Sequence, residues 1–291
     1  MAVHRIGQKT FGPWGNHTSS IDWCEDNYTH HPLVAEFWNT FSNIPFIALG
    51  IFGILSTRAL PVRIRSRAAL THAFVAIIGM GSFVFHATLL WHAQVILDEL
   101  PMLWSAAMGL YLTRVGGADH GSTGLKMLMI AVPTGLSWLY LSYPNPVLHQ
   151  VAYGVMQAII ITQVVRMFKR LPRETAEQVR MREECRSQFY KGAGFCLLGF
   201  AIWNVDNIFC DHLTGIRSGK GELVGLITQG HAWWHLLTGI GGSRIITAMT
   251  YLSTAARQPN DFEFASFLGH PYVRPQTRTI PQRSEKSRKD I

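Results

Sequence analysis

Apolar residues run along this chain in seven long blocks separated by short polar connections, at approximately Trp38–Thr57, Ala68–Leu90, Val95–Arg114, Leu125–Ser142, Val147–Phe168, Tyr190–Cys210 and Ile227–Thr254. Each is close to the ~20 residues that cross about 30 Å of hydrocarbon at 1.5 Å per residue. The pattern predicts an all-α integral membrane protein, a bundle of seven transmembrane helices. Pro101, Pro133 and the Gly239, Gly241 and Gly242 group fall inside blocks, where membrane helices tolerate them. The fourth block is the weakest candidate span. A polar N-terminal segment, 1–37, precedes the helical domain at 38–254. Residues 255–291 are rich in Pro, Arg and Ser, which reads as a disordered tail.

Composition sharpens this picture. Only 15% of the residues are charged against 48% hydrophobic, well below the ~25% charged of a soluble domain. Of the 26 Lys and Arg, twenty fall in the connections after the first, third and fifth blocks and in the tail, and four (Arg5, Lys9, Arg217, Lys220) on the other side. Basic connections stay in the cytosol, so the N-terminus is expected in the lumen and the C-terminus in the cytosol. The net charge of +8 then belongs to loops facing anionic lipid, not to a nucleic-acid surface. The opening "MAVHRIGQKTFGPWG" has no apolar core of a signal peptide, so the first block is expected to direct insertion.

That topology sorts the polar residues by depth. "GMGSFVFHATLLWH" puts Ser82 and His86 near the lumenal end of the second block. "VILDELPM" puts Asp98 at the lumenal start of the third, and "QGHAWWH" puts His231 and His235 at that of the seventh. Histidines four apart share a helix face, about 40° and 6 Å apart, and can bind one ion. Alone, the pair is equally compatible with interfacial companions of Trp233 and Trp234. With His86 it completes the three nitrogens of a catalytic zinc site that leaves one position to water. Asp98 is the candidate proton acceptor, and Ser82 the candidate hydrogen-bond donor to a reacting oxygen. Asp206 and Asn204 in "WNVDNIFC" either line the same cavity or pack helices.

These blocks, with "WGNHTSSIDWCEDNY", "AEFWNTFSN", "HQVAYG" and "HAWWHLLTGIG", resemble the alkaline ceramidases over roughly the first 245 residues. Those are seven-span zinc-dependent hydrolases that cleave the amide of ceramides to a sphingoid base and a fatty acid. The resemblance implies His86, His231 and His235 as zinc ligands, with Ser82 and Asp98 as catalytic partners. It also implies a calcium site formed by Asp22, the carbonyl of Trp23, Glu25, Asn27 and Glu36; spacing alone would make this a solvated acidic loop. The expected substrate is a ceramide, dihydroceramide or phytoceramide drawn from the bilayer, with no obligate protein partner. The alternative is another lipid hydrolase, or a receptor, of the wider Ser, His, Asp and HxxxH membrane superfamily. The terminal "RKDI" is similar to a dilysine-type retrieval signal, which places the chain in the endoplasmic reticulum or Golgi membrane.

Of the four cysteines, Cys185 and Cys196 fall toward the cytosol, where thiols stay reduced, and Cys24 and Cys210 fall in the lumen. A Cys24–Cys210 disulfide is therefore expected. Two sequons, at Asn16 and Asn27, lie on the lumenal side; Asn16 is the glycosylation candidate, because Asn27 is an expected calcium ligand.

Overall fold

The computed structural model describes residues 10–115, 121–171, 173–219, 222–255 and 261–276. A short hairpin, β1 (Phe11–Gly12) and β2 (Gly15–Asn16), leads into α1 (Phe37–Phe41) and α2 (Asn43–Ser56). Then come α3 (Val62–Thr88), a π-helical turn (Ala93–Glu99) continuing into α4 (Leu100–Val115), α5 (Thr123–Ser142) and α6 (Pro146–Arg170). Last are α7 (Ala176–Ile208), α8 (Cys210–Gly219), α9 (Glu222–Ile227), α10 (Gly230–Ala255) and a second hairpin, β3 (Phe262–Phe267) with β4 (His270–Pro275).

Five helices are long and apolar enough to cross a membrane, and six if α7 and α8, bent by 83°, count as one broken span. The first five expected blocks appear among them with ends shifted by a few residues. The sixth is longer than expected, because α7 continues from Ala176 on a Thr175–Gln178 capping box that satisfies its first backbone N–H groups. The seventh differs too. Residues 222–227 form the separate α9, and α10 has the length to span, 26 residues, yet is diluted by Gly, Ser, Thr and His.

The bundle is divided along its axis. At the end away from the N-terminal segment, α4, α6, α7 and α10 meet in an apolar core built from Leu103, Val164, Phe189 and Leu252. At the opposite end the buried side chains are largely polar, including Glu25, Glu36, Asn39, Asn43, His86 and His231. The N-terminal segment straps this polar end: Leu89, which closes α3 at a φ of 52°, accepts the backbone N–H groups of Thr18 and Ser19.

The expectation of a disordered tail from residue 255 does not hold for residues 261–276. Strands β3 and β4 pair antiparallel from Phe262↔Pro275 to Phe267↔His270. They turn through Leu268 and Gly269, both at positive φ, as a two-residue hairpin requires. The alternation of the strands escapes a reading of the whole tail by composition, because Pro, Arg and Ser are frequent across 255–291. Phe262 and Val273 enter the apolar core, the rings of Phe264 and Tyr251 meet at a tilt with centroids 4.1 Å apart, and Phe267 lies 5.7 Å from Phe52. The hairpin also explains Arg244, a cation inside the last helix with no acidic partner evident in the sequence. Its guanidinium donates to Gln188 Oε1 at 2.8 Å and to the Gly269 carbonyl at 2.7 Å, while neighbouring Ser243 hydrogen-bonds His270 at 2.9 Å. The terminal "RKDI" lies outside the described residues.

Replacing Arg244 with Ala is expected to cost about 1–3 kcal/mol through its two lost hydrogen bonds, read as a lower melting temperature in detergent. Docking of the hairpin is also pH-dependent. Burial first, and then the Arg244 charge, lowers His270 from the usual 6.5 to about 4, with His72 of α3 also within electrostatic reach. The folded state therefore holds His270 neutral while the unfolded state takes up a proton. The contribution is complete above 6.5 and declines as pH falls toward 4. Limited proteolysis of residues 261–276 should be faster at pH 5 than at pH 7.5, and equal rates would contradict this.

Candidate metal centre

Three histidines from two helices converge at the polar end. His86 stands in the last turn of α3, and His231 and His235 in the first two turns of α10. All are buried, and one ligand nitrogen from each lies within 4.8 Å of the other two. His86 Nδ1 bonds Glu36 Oε2 at 2.5 Å, and His235 Nδ1 bonds Ser42 Oγ at 2.8 Å, which leaves Nε2 of each ring available. Fixing one imidazole nitrogen with a carboxylate or hydroxyl sets the tautomer and aims the other, the usual support of a metal-binding histidine. His231 stacks on Trp23 with centroids 4.1 Å apart, and its buried Nδ1 has no hydrogen-bond partner among the described residues. Neutral nitrogens gathered in a buried space, one of them unsatisfied, fit a zinc ion.

Ser82 lies one turn before His86, buried, with Oγ 3.4 Å from His235 Nε2. Asp98 is half-buried on the π-helical turn, a distortion common at functional sites. A close approach holds that turn beside Ser82. A Cβ on Gly81 would sit 1.8 Å from the Leu97 carbonyl oxygen and 3.0 Å from the Asp98 nitrogen, so only glycine admits it.

The expected calcium-site residues are gathered next to the cluster. Glu25, Asn27 and Glu36 are buried, and Asn27 Nδ2 is 3.4 Å from Asp22 Oδ1. Trp23 donates its backbone N–H to Glu36 Oε1 at 3.0 Å. Glu25 accepts the backbone N–H groups of Trp38 and Asn39 at 2.7 and 2.8 Å, placing a carboxylate at the N-terminus of α1. Burial and then the Glu36 charge push Glu25 up to about 8, partly offset by the Asn39 and Trp38 backbone N–H groups and by Arg217. Asn16 is exposed on β2, whereas Asn27 is inaccessible.

The expected Cys24–Cys210 disulfide is present, with Cα atoms 5.5 Å apart, and Cys185 and Cys196 are free thiols. Beside it lies a residue whose only cue in the sequence was its place among the few basic residues of the lumenal side. Arg217 ion-pairs with Asp206 Oδ1 at 3.1 Å and donates to the carbonyls of Cys24 and Thr228. Asp206 Oδ1 also accepts the N–H of Gly230, the first residue of α10. Asp206 therefore anchors the helix that carries His231, while Asn204 bonds the Phe200 carbonyl of its own helix. Ser42 was equally hidden; its only cue was a polar residue at the mouth of an apolar block.

The sequence pattern of the family described as "Ceramidase" matches residues 15–274, nearly the whole chain and including the second hairpin. The chain belongs to the ceramidase family. "Alkaline ceramidase 3" of Mus musculus is 36% identical over 245 residues, 84% of this chain and 87% of that protein. "Alkaline ceramidase YPC1" of Saccharomyces cerevisiae is 31% identical over 255 residues, covering 83% and 78%. "Alkaline ceramidase" of Arabidopsis thaliana is 27% identical over 263 residues, covering 90% and 94%. This family member is thus an enzyme with a helical, membrane-crossing body and a buried histidine triad able to hold a metal.

Both partners of the Arg217–Asp206 pair are buried. Arg217→Met should cost about 3–5 kcal/mol, because it leaves the Asp206 carboxylate uncompensated. A thermal melt that matches wild type would show that the clamp contributes nothing.

Proposed function

We propose that this protein hydrolyses the N-acyl amide of ceramides within the membrane, using a zinc ion held by His86, His231 and His235. The observation that carries the reading is the convergence of three buried imidazoles, two with Nδ1 already engaged, in a member of a family whose relatives are named alkaline ceramidases. Zinc, when bound, supplies Lewis-acid polarisation of the amide carbonyl and activation of water at neutral pH.

The chain's own residues do the rest. Asp98 takes a proton from the attacking water and returns it to the departing nitrogen, so that the amine leaves neutral. Ser82 Oγ–H donates to the oxygen on which negative charge develops. Glu36 and Ser42 keep the rings of His86 and His235 in register through Nδ1. The protein's uneven basic charge supports a lumenal N-terminus and a seven-span topology with α10 as the last span, which puts the site near the depth of a lipid amide. Asp22, the Trp23 carbonyl, Glu25, Asn27 and Glu36 offer hard oxygen donors suited to Ca²⁺. With Glu36 common to both centres, calcium would act on the histidines through it. Residence in the endoplasmic reticulum or Golgi membrane and a glycan on Asn16 complete the reading.

Replacing any of the three histidines with Ala should lower hydrolysis of a ceramide mixture by at least ~10³-fold and reduce bound zinc. Asp98→Asn should lose activity to a similar extent yet retain zinc. Wild-type turnover in a His→Ala protein would refute the zinc mechanism. Chelation of calcium alone should lower both activity and melting temperature reversibly, and a glycosidase-sensitive mass shift should vanish in Asn16→Gln.

A further inference from the structure

The residue after Asp98 is a second acid, and the mechanism above gives it no task. Glu99 is buried at 7% exposure, at the point where the π-helical turn becomes α4. Both of its carboxylate oxygens are engaged, one by a donor on α5 and one by a donor on its own turn. Tyr140 of α5 donates its hydroxyl to Oε2 at 2.5 Å, and Gln94 donates Nε2–H to Oε1 at 3.1 Å. Gln94, itself fully buried, is held in turn by the N-terminal segment. It accepts the Ser20 backbone N–H at 2.7 Å and donates to Ser20 Oγ at 2.8 Å. His149 of α6 donates Nε2–H to the backbone carbonyl of Glu99 at 2.9 Å, so side chain and main chain of one residue are both fixed. Tyr140 and His149 are buried and adjoin each other, with ring centroids 5.6 Å apart.

A buried carboxylate in a membrane protein is costly and needs a partner or a task. Tyr140 of α5 and Gln94 of its own turn hold this one, α6 holds its backbone carbonyl, and its position in the chain ties it to the group that must sit within hydrogen-bond reach of the reacting water. From the other side, Gly81 lets Leu97 and Asp98 press against α3. The π-helical turn is thus held on both flanks of Asp98: by backbone contact before it and by the Glu99 network after it.

We infer that Glu99 is a positioning residue for catalysis. With Tyr140, His149 and Gln94 it fixes the backbone that carries Asp98, and so sets the distance between that carboxylate and the reacting atoms. The inference rests on the reading of Asp98 as the proton-transfer group. A displacement of about 1 Å at such a group can cost on the order of a hundredfold in rate, without any change in how substrate binds.

The test uses the full-length protein in detergent with a ceramide substrate, measuring kcat, KM, bound zinc and melting temperature for each variant. Tyr140→Phe and Glu99→Gln should lower kcat by about tenfold to a hundredfold. KM and zinc content should stay within about twofold of wild type, a split that simple unfolding does not produce. The exchanged pair Gln94→Glu with Glu99→Gln should recover most of the loss. Gln at 99 can donate to Glu at 94 and accept from Tyr140, while Glu at 94 accepts from Ser20. Wild-type kcat in Tyr140→Phe and Glu99→Gln, alongside an inactive Asp98→Asn, would overturn the positioning role while leaving Asp98 in place. Losses that follow zinc content or melting temperature, with no rescue by the exchange, would also overturn it. An active Asp98→Asn protein would remove the premise instead.

Discussion

The contact between Glu36 and His86 is the constraint on which the rest of the polar end depends. Glu36 is completely buried, and a lone carboxylate there would be untenable. It is tolerated because one oxygen receives the Trp23 backbone and the other the His86 ring. The consequences spread outward. Trp23 is placed to stack on His231, and neighbouring Cys24 to reach Cys210 and Arg217. Arg217 and Asp206 then fix the start of α10, which returns His231 and His235 to His86. The circuit closes on itself, so no member can move independently of the others.

The axial division of the bundle follows from the same logic. Polar groups buried in the membrane must satisfy one another, so they are concentrated where the N-terminal segment can supply donors and acceptors. The far end is held instead by ordinary apolar packing of α4, α6, α7 and α10, extended by the second hairpin. Chemistry and cohesion thus occupy different ends. The apolar end tolerates volume-conserving exchange, whereas the polar end requires every hydrogen bond to be kept.

Much of this was legible in the chain. The apolar blocks revealed the long helices because a membrane demands contiguous hydrophobicity, and the His, Ser and Asp residues stood out because they interrupt it. The Cys24–Cys210 bridge followed from sidedness alone. What stayed hidden was set by tertiary contact. Ser42, Arg217 and Tyr140 are ordinary residues until the fold places them on His235, Asp206 and Glu99. The hairpin at 262–275 is hidden because the tail around it is rich in Pro, Arg and Ser, and its two-residue alternation becomes meaningful only against Tyr251 and Phe52. The last helix, Gly230–Ala255, lies within a few residues of its expected bounds, its start set by Gly230.

The sequence separation of the disulfide also bears on the order of assembly. Cys24 and Cys210 are 186 residues apart, and the histidines that complete the triad come later still. At a synthesis rate of about 5–20 residues per second, Cys24 waits roughly 10–40 s before its partner exists. The strap at the front of the chain therefore emerges first and is among the last parts to settle. Six long helices must be made before it has anything to close upon, and the triad cannot form until the final helix arrives. Activity is in this sense a certificate of completion: a chain that stops just short of residue 231 carries most of the body of the enzyme and only one of the three histidines.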